Sequence, residues 1–178
     1  MTEKKFKVGM YGGKFCPLHT GHEACLQEAL RQCEAVDLVL VLGGVEDERI
    51  QTDFNFNYHR VDPAMRDVVT PERRVEQLYR LAMKYQAQGY DVRPVVVSVS
   101  SCRDQDGRED WDQETPLILA GCRRFDAVFG SEEEYLPYFQ RAYPWAQYVC
   151  IDPERSRVPI SASQIRAMTY DQAKEWMV

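Results

Sequence analysis

Two histidines lie three positions apart near the start of the sequence, within the segment GGKFCPLHTGH of residues 12–22. Residues with this spacing share one face of a helix, so His19 and His22 are predicted to face the same ligand. The two glycines that open the segment would let the backbone approach that ligand closely, and Lys14 adds a mobile cation. This combination is typical of a phosphate-binding turn. The segment matches neither the P-loop nor the dinucleotide-binding GxGxxG pattern.

The elements predicted around this segment would place it at one edge of a parallel sheet. Apolar runs predict buried strands over 6–12 and 36–44, and helical spacing predicts a helix over 21–34. A strand, a helix and a strand in sequence form a βαβ unit, whose two strands are parallel. Ligands of open parallel sheets bind at the carboxyl ends of the strands, and helix N-termini attract anions. The segment is therefore predicted to lie where a phosphate would bind.

The rest of the sequence continues to alternate between strands and helices. Predicted strands cover residues 92–100, 125–131 and 146–153. Two predicted helices run from Thr70 to about Gln88 and from Gln113 to Arg124, and a third follows Ser131 as its N-cap. A short helix that starts at Ser161 is predicted within 160–168, and a last helix over 170–177. Residues 45–70 and 101–112 lack periodicity and are predicted to be loops. The pattern predicts an α/β fold with a Rossmann-like doubly wound parallel sheet of about five strands and flanking helices, in one domain over residues 1–178.

Composition and charge limit the classes of function. Hydrophobic residues make up 44% and charged residues 28%, as in ordinary globular proteins. A formal net charge of -6 disfavours a general nucleic-acid binder but allows a small anion held by local donors. We recognise no signal peptide and no apolar run of about 18 residues, so a cytoplasmic protein without a membrane partner is expected. The six cysteines include no CxxC pair, so reduced thiols are expected rather than a zinc site.

Two motifs resemble the signatures of the nucleotidylyltransferase superfamily, whose members join a nucleoside monophosphate to a phosphorylated acceptor and release pyrophosphate. The first is G-x-F-x-P-x-H-x-G-H from Gly13 to His22. The second, ISxTxxR, reads ISASQIR from Ile160 to Arg166, where Ser163 replaces the usual threonine and keeps the hydroxyl. With FGSEEEY and DPERSRVPIS, the sequence over roughly residues 7–168 is similar to NadR-type nicotinamide mononucleotide adenylyltransferases.

This resemblance implies that ATP and nicotinamide mononucleotide react to give NAD and pyrophosphate, with Mg²⁺ bridging the phosphates and few protein ligands on the metal. The catalytic residues would be those that contact the phosphates: His19, His22, Lys14 and Arg166. The ATP site implied by the resemblance comprises Gly12, Gly13, Phe15, Gly130, Ser131, Glu132, Asp152, Arg155 and Ser163.

The resemblance also implies a site for the mononucleotide. Trp111, in the polar segment REDWDQE, would stack on the nicotinamide ring with Asp112 nearby, a contact with a cationic ring that is favourable by roughly 0.5 to 2 kcal/mol. A loop tryptophan that merely anchors the segment to the core is an equal alternative. Asp47 and Arg49 are further candidates, although each alone is more simply a solvated charge.

The segment DFNFNYHR, residues 53–60, is a candidate lid over the site. Its histidine, His59, is expected to be structural or exposed rather than catalytic.

Two other functions remain open from the sequence. One is a sister nucleotidylyltransferase that uses pantetheine phosphate, FMN or a CTP-dependent acceptor; Trp111 and the DPERSRVPIS turn favour nicotinamide over these. The other is a non-catalytic sensor that binds ATP or NAD, which the intact histidine and Ser163–Arg166 motifs disfavour. The sequence is compatible with a homo-oligomer and does not determine the oligomeric state.

Overall fold

Five parallel strands form one sheet in the order β3-β2-β1-β4-β5. The computed structural model describes residues 3–56 and 62–178. The strands are β1 (Phe6–Gly13), β2 (Cys33–Leu42), β3 (Asp91–Ser98), β4 (Ala127–Gly130) and β5 (Gln147–Cys150). The strand order reverses direction at β1, so the carboxyl ends of β1 and β4 border a crevice of the kind that binds ligands in doubly wound sheets. The predicted fold class is confirmed.

Helices connect the strands and cover both faces of the sheet. They are α1 (Thr20–Gln32), α2 (Val45–Phe56), α3 (Ala64–Val68), α4 (Pro71–Gln86), α5 (Trp111–Gly121), α6 (Leu136–Ala142), α7 (Ala162–Arg166) and α8 (Tyr170–Ala173), with a short 3₁₀ helix at Glu133–Tyr135 before α6. Among the described residues, no helix has the length and apolar character needed to cross a membrane.

Side chains of β2 alternate between two cores because successive strand residues point to opposite faces of a sheet. Leu38 and Leu40 pack in one core with α1 and α4, and Val39 packs in the other with Ile118 of α5. Both faces of β2 are thus buried, as is usual for the central strands of a parallel sheet. This double burial explains why β2 is almost continuously apolar.

A third apolar cluster covers the carboxyl edge of the sheet. It joins Ile50 of α2, Met65 of α3 and Ile165 of α7 to Cys16, which follows β1 in the first motif. The second motif is thereby held against the first by buried apolar surface, although about 150 residues separate them along the chain.

The predicted loop over 45–70 is wrong, because most of its described residues are helical. Ile50 and Phe54 of α2 are buried and lie four residues apart, and Met65 and Val68 of α3 are buried. These few apolar residues are enough to stabilise the two helices because they pack within the third cluster. Most residues between them are polar, so the helical spacing is not recognisable in the sequence. Residues 57–61 lie outside the described residues, so His59 and the second half of the candidate lid, residues 57–60, lie outside them too.

Two helix starts also differ from the prediction. The helix expected from Gln113 begins at Trp111, since the Asp110 carboxylate accepts hydrogen bonds from the backbone N–H groups of Asp112 and Gln113 and caps it. Ser131 is not an N-cap; the 3₁₀ helix after it starts beyond Glu132 without a side-chain cap.

Strand β2 begins at Cys33 rather than at residue 36, directly after α1. The final helix is also shorter than expected, ending at Ala173. The predicted caps of α4 by Thr70 and of α7 by Ser161 are confirmed.

Candidate functional site

Two cavities adjoin at the carboxyl edge of the sheet, one on each side of Gly12 and Gly13. The first, about 260 Å³, lies between the ends of β1 and β4 and is called the histidine cavity; its walls include Phe15, His19, His22, Gly130, Ser131, Glu132, Asp152 and Arg155. The second, about 250 Å³, is called the Trp111 cavity; its walls include Lys14, Glu46, Glu109, Trp111, Glu114 and Tyr138. The two share Gly12, Gly13, Tyr135 and Phe139.

The two histidines cap helix α1 reciprocally. The Gly21 N–H donates to Nδ1 of His19 at 3.0 Å, and the His19 N–H donates to Nδ1 of His22 at 3.2 Å. The ring centroids are 3.7 Å apart. Because each Nδ1 accepts a hydrogen bond, the proton of each neutral ring must be on Nε2. The cap therefore fixes both the orientation and the tautomer of the pair and leaves each Nε2–H as a donor.

Both rings are neutral at physiological pH in the absence of ligand. Burial lowers the pKa of His19 to about 4, and the charge of Arg155 contributes. The pKa of His22 lies well below its usual value because of burial and, to a lesser degree, the adjacent His19 and Arg155. An anion in this cavity would favour the charged forms, since an opposite charge acts against both causes.

Phe15 shapes the turn between β1 and α1. Its ring is buried against Tyr11 and His22, with centroid distances of 5.5 and 4.9 Å, and its backbone has a positive φ of 44°. The side chain thus packs into the protein while the turn it forms borders the histidine cavity.

Lys14 lines the Trp111 cavity. Its Nζ lies 3.0 Å from a carboxylate oxygen of Glu46 and 3.7 Å from one of Glu109. Its carbonyl oxygen accepts two hydrogen bonds from the guanidinium of Arg74, whose side chain is completely buried.

Arg74 is a site residue that the sequence reasoning missed. It also donates to the carboxylate of Asp47, which is itself buried and accepts the Gly43 N–H at 2.9 Å. The ion pair joins the turn after β1 to the turn after β2. Arg74 precedes Leu78 and Leu81 by four and seven residues, so it lies on the apolar face of α4. An arginine at such a position is the sequence feature that could have identified Arg74 as buried.

Three residues expected at the mononucleotide are placed differently. The Asp47 carboxylate faces Arg74 inside the protein, so this side chain has a structural role and is not exposed to a ligand. Arg49 is exposed and lines neither cavity. Asp112 is exposed, lines neither cavity and forms an ion pair of 3.0 Å with Arg141. Proximity in sequence to Trp111 and to β2 therefore did not place any of these three side chains in a cavity wall.

Trp111 is half-buried at the first position of α5 rather than in a loop. Its ring packs edge-on against Tyr135 and Tyr138, at centroid distances of 5.2 and 5.0 Å. Its Nε1–H donates to Glu109 at 3.2 Å. The indole is therefore held in one orientation in the wall of the second cavity.

The far wall of the histidine cavity is built by β4 and the turn after β5. A Cβ on Gly130 would lie 2.6 Å from the Tyr148 hydroxyl, which donates to the Glu132 carbonyl at 2.7 Å. The Ser131 hydroxyl lies 3.2 Å from Sγ of Cys25. Glycine at 130 thus makes room for the Tyr148 ring and hydroxyl beside the end of β4.

Asp152 and Arg155 organise the turn that closes this wall. The Asp152 carboxylate accepts a hydrogen bond from the Ser156 hydroxyl at 2.5 Å, which is the main cause of its lowered pKa. It also accepts the N–H groups of Arg157 and Ser156, each at 2.8 Å, and these bonds lower the pKa further. Arg155 donates to the Ile160 carbonyl at 2.9 Å and lies 3.7 Å from the Glu132 carboxylate. Asp152 therefore shapes the turn, whereas Arg155 supplies positive charge to the cavity.

The second motif contacts the first directly. Nη1 of Arg166 donates to the Cys16 carbonyl at 2.6 Å. The exposed Ser163 hydroxyl lies 3.1 Å from that of Ser161, which caps α7. The end of α7 is thus fixed beside the turn that carries Lys14 and Phe15.

The described residues contain no group of three or more histidine, cysteine, aspartate or glutamate side chains arranged to hold a metal ion. The donor set around the histidine cavity consists mainly of nitrogen donors, which suit phosphate oxygens.

Comparisons with known proteins agree with this geometry. The cytidylyltransferase-like family matches residues 10–168. The chain is 28% identical to the trifunctional NAD biosynthesis/regulator protein NadR of Escherichia coli strain K12 over 171 residues, covering 92% of this chain and 37% of that protein. The resemblance to NadR predicted from the sequence is confirmed.

Two solved structures share the fold. A NadR protein in complex with NAD and AMP-PNP has a TM-score of 0.61 at 21% identity, covering 97% of this chain and 44% of that one. A bifunctional NMN adenylyltransferase/ADP ribose pyrophosphatase of Francisella tularensis, complexed with AMP and a manganese ion, has a TM-score of 0.55 at 16% identity, covering 97% and 44%. The chain spans less than half the length of each relative. From the family match, the chain belongs to the cytidylyltransferase-like family.

Proposed function

We propose that this chain transfers the adenylyl group of ATP to nicotinamide mononucleotide, giving NAD and pyrophosphate. The observation that carries the proposal is the pair of adjoining cavities, one lined by the two histidines and the other by Trp111, which meet at Gly12 and Gly13. A reaction between two nucleotides requires two sites that meet at the reacting atoms. The similarity to NadR, whose name assigns it to NAD biosynthesis, supports this choice of reaction.

The chemistry needs no protein nucleophile. A phosphate oxygen of the mononucleotide attacks the α-phosphorus of ATP, the bond from this phosphorus to the bridging oxygen breaks, and pyrophosphate leaves with that oxygen. The protein contributes position and stabilisation of negative charge. In this proposal the Nε2–H groups of His19 and His22 donate to the α- and β-phosphate oxygens, and Lys14 reaches the incoming phosphate from the second cavity.

We assign ATP to the histidine cavity. Gly130, Ser131 and Glu132 would border the adenosine, and Arg155 would add positive charge close to the phosphates. Arg166 and Ser163 lie in α7 outside the lining of both cavities, and they would hold the β- and γ-phosphates where these extend from the histidine cavity, since an arginine fork suits phosphate oxygens.

A divalent ion would enter with ATP as part of the substrate. Mg²⁺ prefers phosphate and water oxygens and needs few carboxylates from the protein. The manganese ion in the Francisella complex with AMP is consistent with divalent metal use in this fold.

We assign the mononucleotide to the Trp111 cavity. Its cationic ring would stack on the indole, and its phosphate would point towards Lys14 and the shared glycines. Of the four residues expected to bind it, only Trp111 lines this cavity, so the proposal carries forward that residue and none of Asp47, Arg49 and Asp112.

The test is to incubate the protein with ATP, Mg²⁺ and nicotinamide mononucleotide and to measure pyrophosphate and NAD. Parallel reactions with pantetheine phosphate and FMN, and with CTP in place of ATP, distinguish the sister activities. Release of pyrophosphate only with one of these alternatives would refute the proposal. No release with any acceptor, nicotinamide mononucleotide included, would leave a nucleotide-binding sensor.

A His22→Ala variant tests the site itself. It removes one Nε2–H donor, and we expect kcat to fall by about 100-fold, as for loss of one donor to a developing oxyanion. Full activity of this variant would contradict the placement of ATP.

A further inference from the structure

Residues 176–178, here called the clasp, lie against the start of α1. The Trp176 carbonyl accepts the Thr20 N–H at 2.8 Å, and Met177 forms an antiparallel bridge with His19. No residue of the clasp lines the histidine cavity or the Trp111 cavity. The clasp can therefore affect a bound ligand only through the residues that it holds, and of Thr20 and His19 only His19 lines a cavity.

The clasp completes the hydrogen bonding at the N-terminus of α1. The first four N–H groups of a helix, here those of residues 19–22, have no acceptor within the helix. The two histidine rings accept the N–H groups of His19 and Gly21, and the His19 side chain also accepts that of His22. The Trp176 carbonyl takes the fourth, from Thr20. This helix end therefore offers a phosphate the Nε2–H groups of its two rings rather than free backbone amides.

The bridge also fixes the backbone of His19. This residue is extended, with φ −142° and ψ 172°, which is the conformation that pairs with another extended segment. It is the N-cap of α1, so its φ and ψ decide where its ring points. Because Met177 holds the backbone of His19 in this conformation, it also fixes the direction of the imidazole, which is 4% exposed.

The clasp is itself anchored by buried apolar contacts and by a hydrogen bond at the start of α8. Ala173, three residues before the clasp, is completely buried, and Trp176 and Met177 pack against the third apolar cluster. The Tyr170 N–H donates to the Asp62 carboxylate at 2.8 Å. These contacts hold the Trp176 carbonyl in place relative to α1.

We propose that the clasp positions His19 and, through it, His22 for the phosphates of ATP. The inference rests on the part of the proposed function that places ATP in the histidine cavity. The His19 N–H donates to Nδ1 of His22 at 3.2 Å, so a displaced His19 also releases the second ring. Without the clasp both Nε2–H donors lose their fixed direction, whereas the Trp111 cavity keeps its walls. The clasp thus acts on ATP and not on the mononucleotide.

The test is deletion of residues 176–178, which removes the Trp176 carbonyl and the bridge. Titration calorimetry with ATP and Mg²⁺ gives the Kd for ATP, and steady-state kinetics gives the KM for nicotinamide mononucleotide. We expect the Kd for ATP to rise about tenfold, as for the loss of a hydrogen bond to a charged group. We expect the KM for the mononucleotide to stay unchanged, which a general loosening of the fold would not allow.

Two substitutions test the anchor of the clasp without shortening the chain. Trp176→Ala removes the side chain that packs on the third cluster and should also raise the Kd for ATP. Trp176→Phe keeps an aromatic ring there and should bind ATP as the wild type does. Lys174→Met is the matched control, because Lys174 precedes the clasp by two residues, is exposed and forms an ion pair with Asp171. It should leave both constants unchanged.

A deletion variant that is folded by circular dichroism and keeps the wild-type Kd for ATP would overturn this inference while leaving the proposed function intact. Equal weakening of ATP and of the mononucleotide would overturn it as well. If the deletion variant does not fold, the same comparison for Trp176→Ala decides. Wild-type protein that binds ATP but releases no pyrophosphate would overturn the proposed reaction alone, and wild-type protein that does not bind ATP would overturn both.

Discussion

The buried ion pair between Arg74 and Asp47 gives a prediction that tests the architecture of the site. Replacing Arg74 by Met keeps a long side chain in the core but removes the hydrogen bonds that the guanidinium donates to the Lys14 carbonyl and to Asp47. Among the described residues, the buried Asp47 carboxylate would then keep only the hydrogen bonds from the Gly43 N–H and, at 3.4 Å, from Nε2 of Gln51. Removal of one partner of a buried pair costs about 3–5 kcal/mol, and we expect the free energy of unfolding to fall by that amount.

A double variant separates the lost charge pairing from the lost packing. In Arg74→Met/Asp47→Asn no unpaired charge remains, and the asparagine oxygen can still accept the Gly43 N–H. We expect this variant to recover about 2 kcal/mol relative to the sum of the two single changes, as interaction energies within one network do. The assay is urea unfolding followed by tryptophan fluorescence and circular dichroism at pH 7.5.

Arg73→Met is the matched control, because Arg73 is the preceding residue of α4 but is exposed and, among the described residues, forms an ion pair only with Glu76. An exposed pair of this kind contributes about 0–1 kcal/mol. A similar small loss in Arg74→Met would refute the view that the buried pair ties the two turns together. So would a double variant whose loss equals the sum of the single losses.

Three further predictions follow from the site. The first concerns His19→Asn, which keeps a capping side chain: the free energy of unfolding of the wild type relative to this variant should decrease by about 1.4 kcal/mol per pH unit below 6.5. The reason is that His19 has a pKa of about 4 in the folded protein and stays neutral there, but takes up a proton on unfolding. Urea unfolding between pH 7.5 and 5 measures this difference, and a constant difference would contradict the neutral pair. The second is that Glu114→Gln should raise the free energy of unfolding by roughly 2 kcal/mol at pH 7.5 and should lose this advantage near pH 4.5. The pKa of Glu114 is raised to about 8 in the folded state, so at pH 7.5 the wild-type carboxyl group ionises when the protein unfolds, and this favours unfolding. An equal effect of the substitution at both pH values would exclude this cause. The third is that Arg166→Met should raise the KM for ATP about tenfold, as expected for the loss of one charge-assisted hydrogen bond. Steady-state kinetics with varied ATP measures this, and an unchanged KM would refute the phosphate role of α7.

Local signals in the sequence were sufficient for the framework of the fold and for the first motif. Apolar runs that end at glycines identified β1 and β2, and the caps Thr70 and Ser161 identified the starts of α4 and α7. These features depend on neighbours within a few residues, so they can be read without the tertiary structure. The two histidines also needed only local information, because both lie in one turn of α1.

Features that depend on distant contacts could not be read in the same way. Arg74 and Glu114 are charged residue types, which are almost always exposed, and only the folded chain brings them to Asp47 and Glu109. Asp47 was assigned to a ligand because its position after β2 is near the site, although its side chain turns inward. Helix α2 was missed because the third apolar cluster, rather than its own periodicity, stabilises it.

The reciprocal cap has a consequence for the way this site responds to acid. A proton added to His19 or His22 would have to bind Nδ1, the atom that accepts a backbone N–H of the cap. Full protonation and an intact first turn of α1 therefore exclude each other in the ligand-free protein. Acid would therefore expose the amides of His19 and Gly21 to hydrogen exchange before the sheet unfolds. The N-terminal end of α1 thus holds the turn that carries the site only while both histidines are neutral.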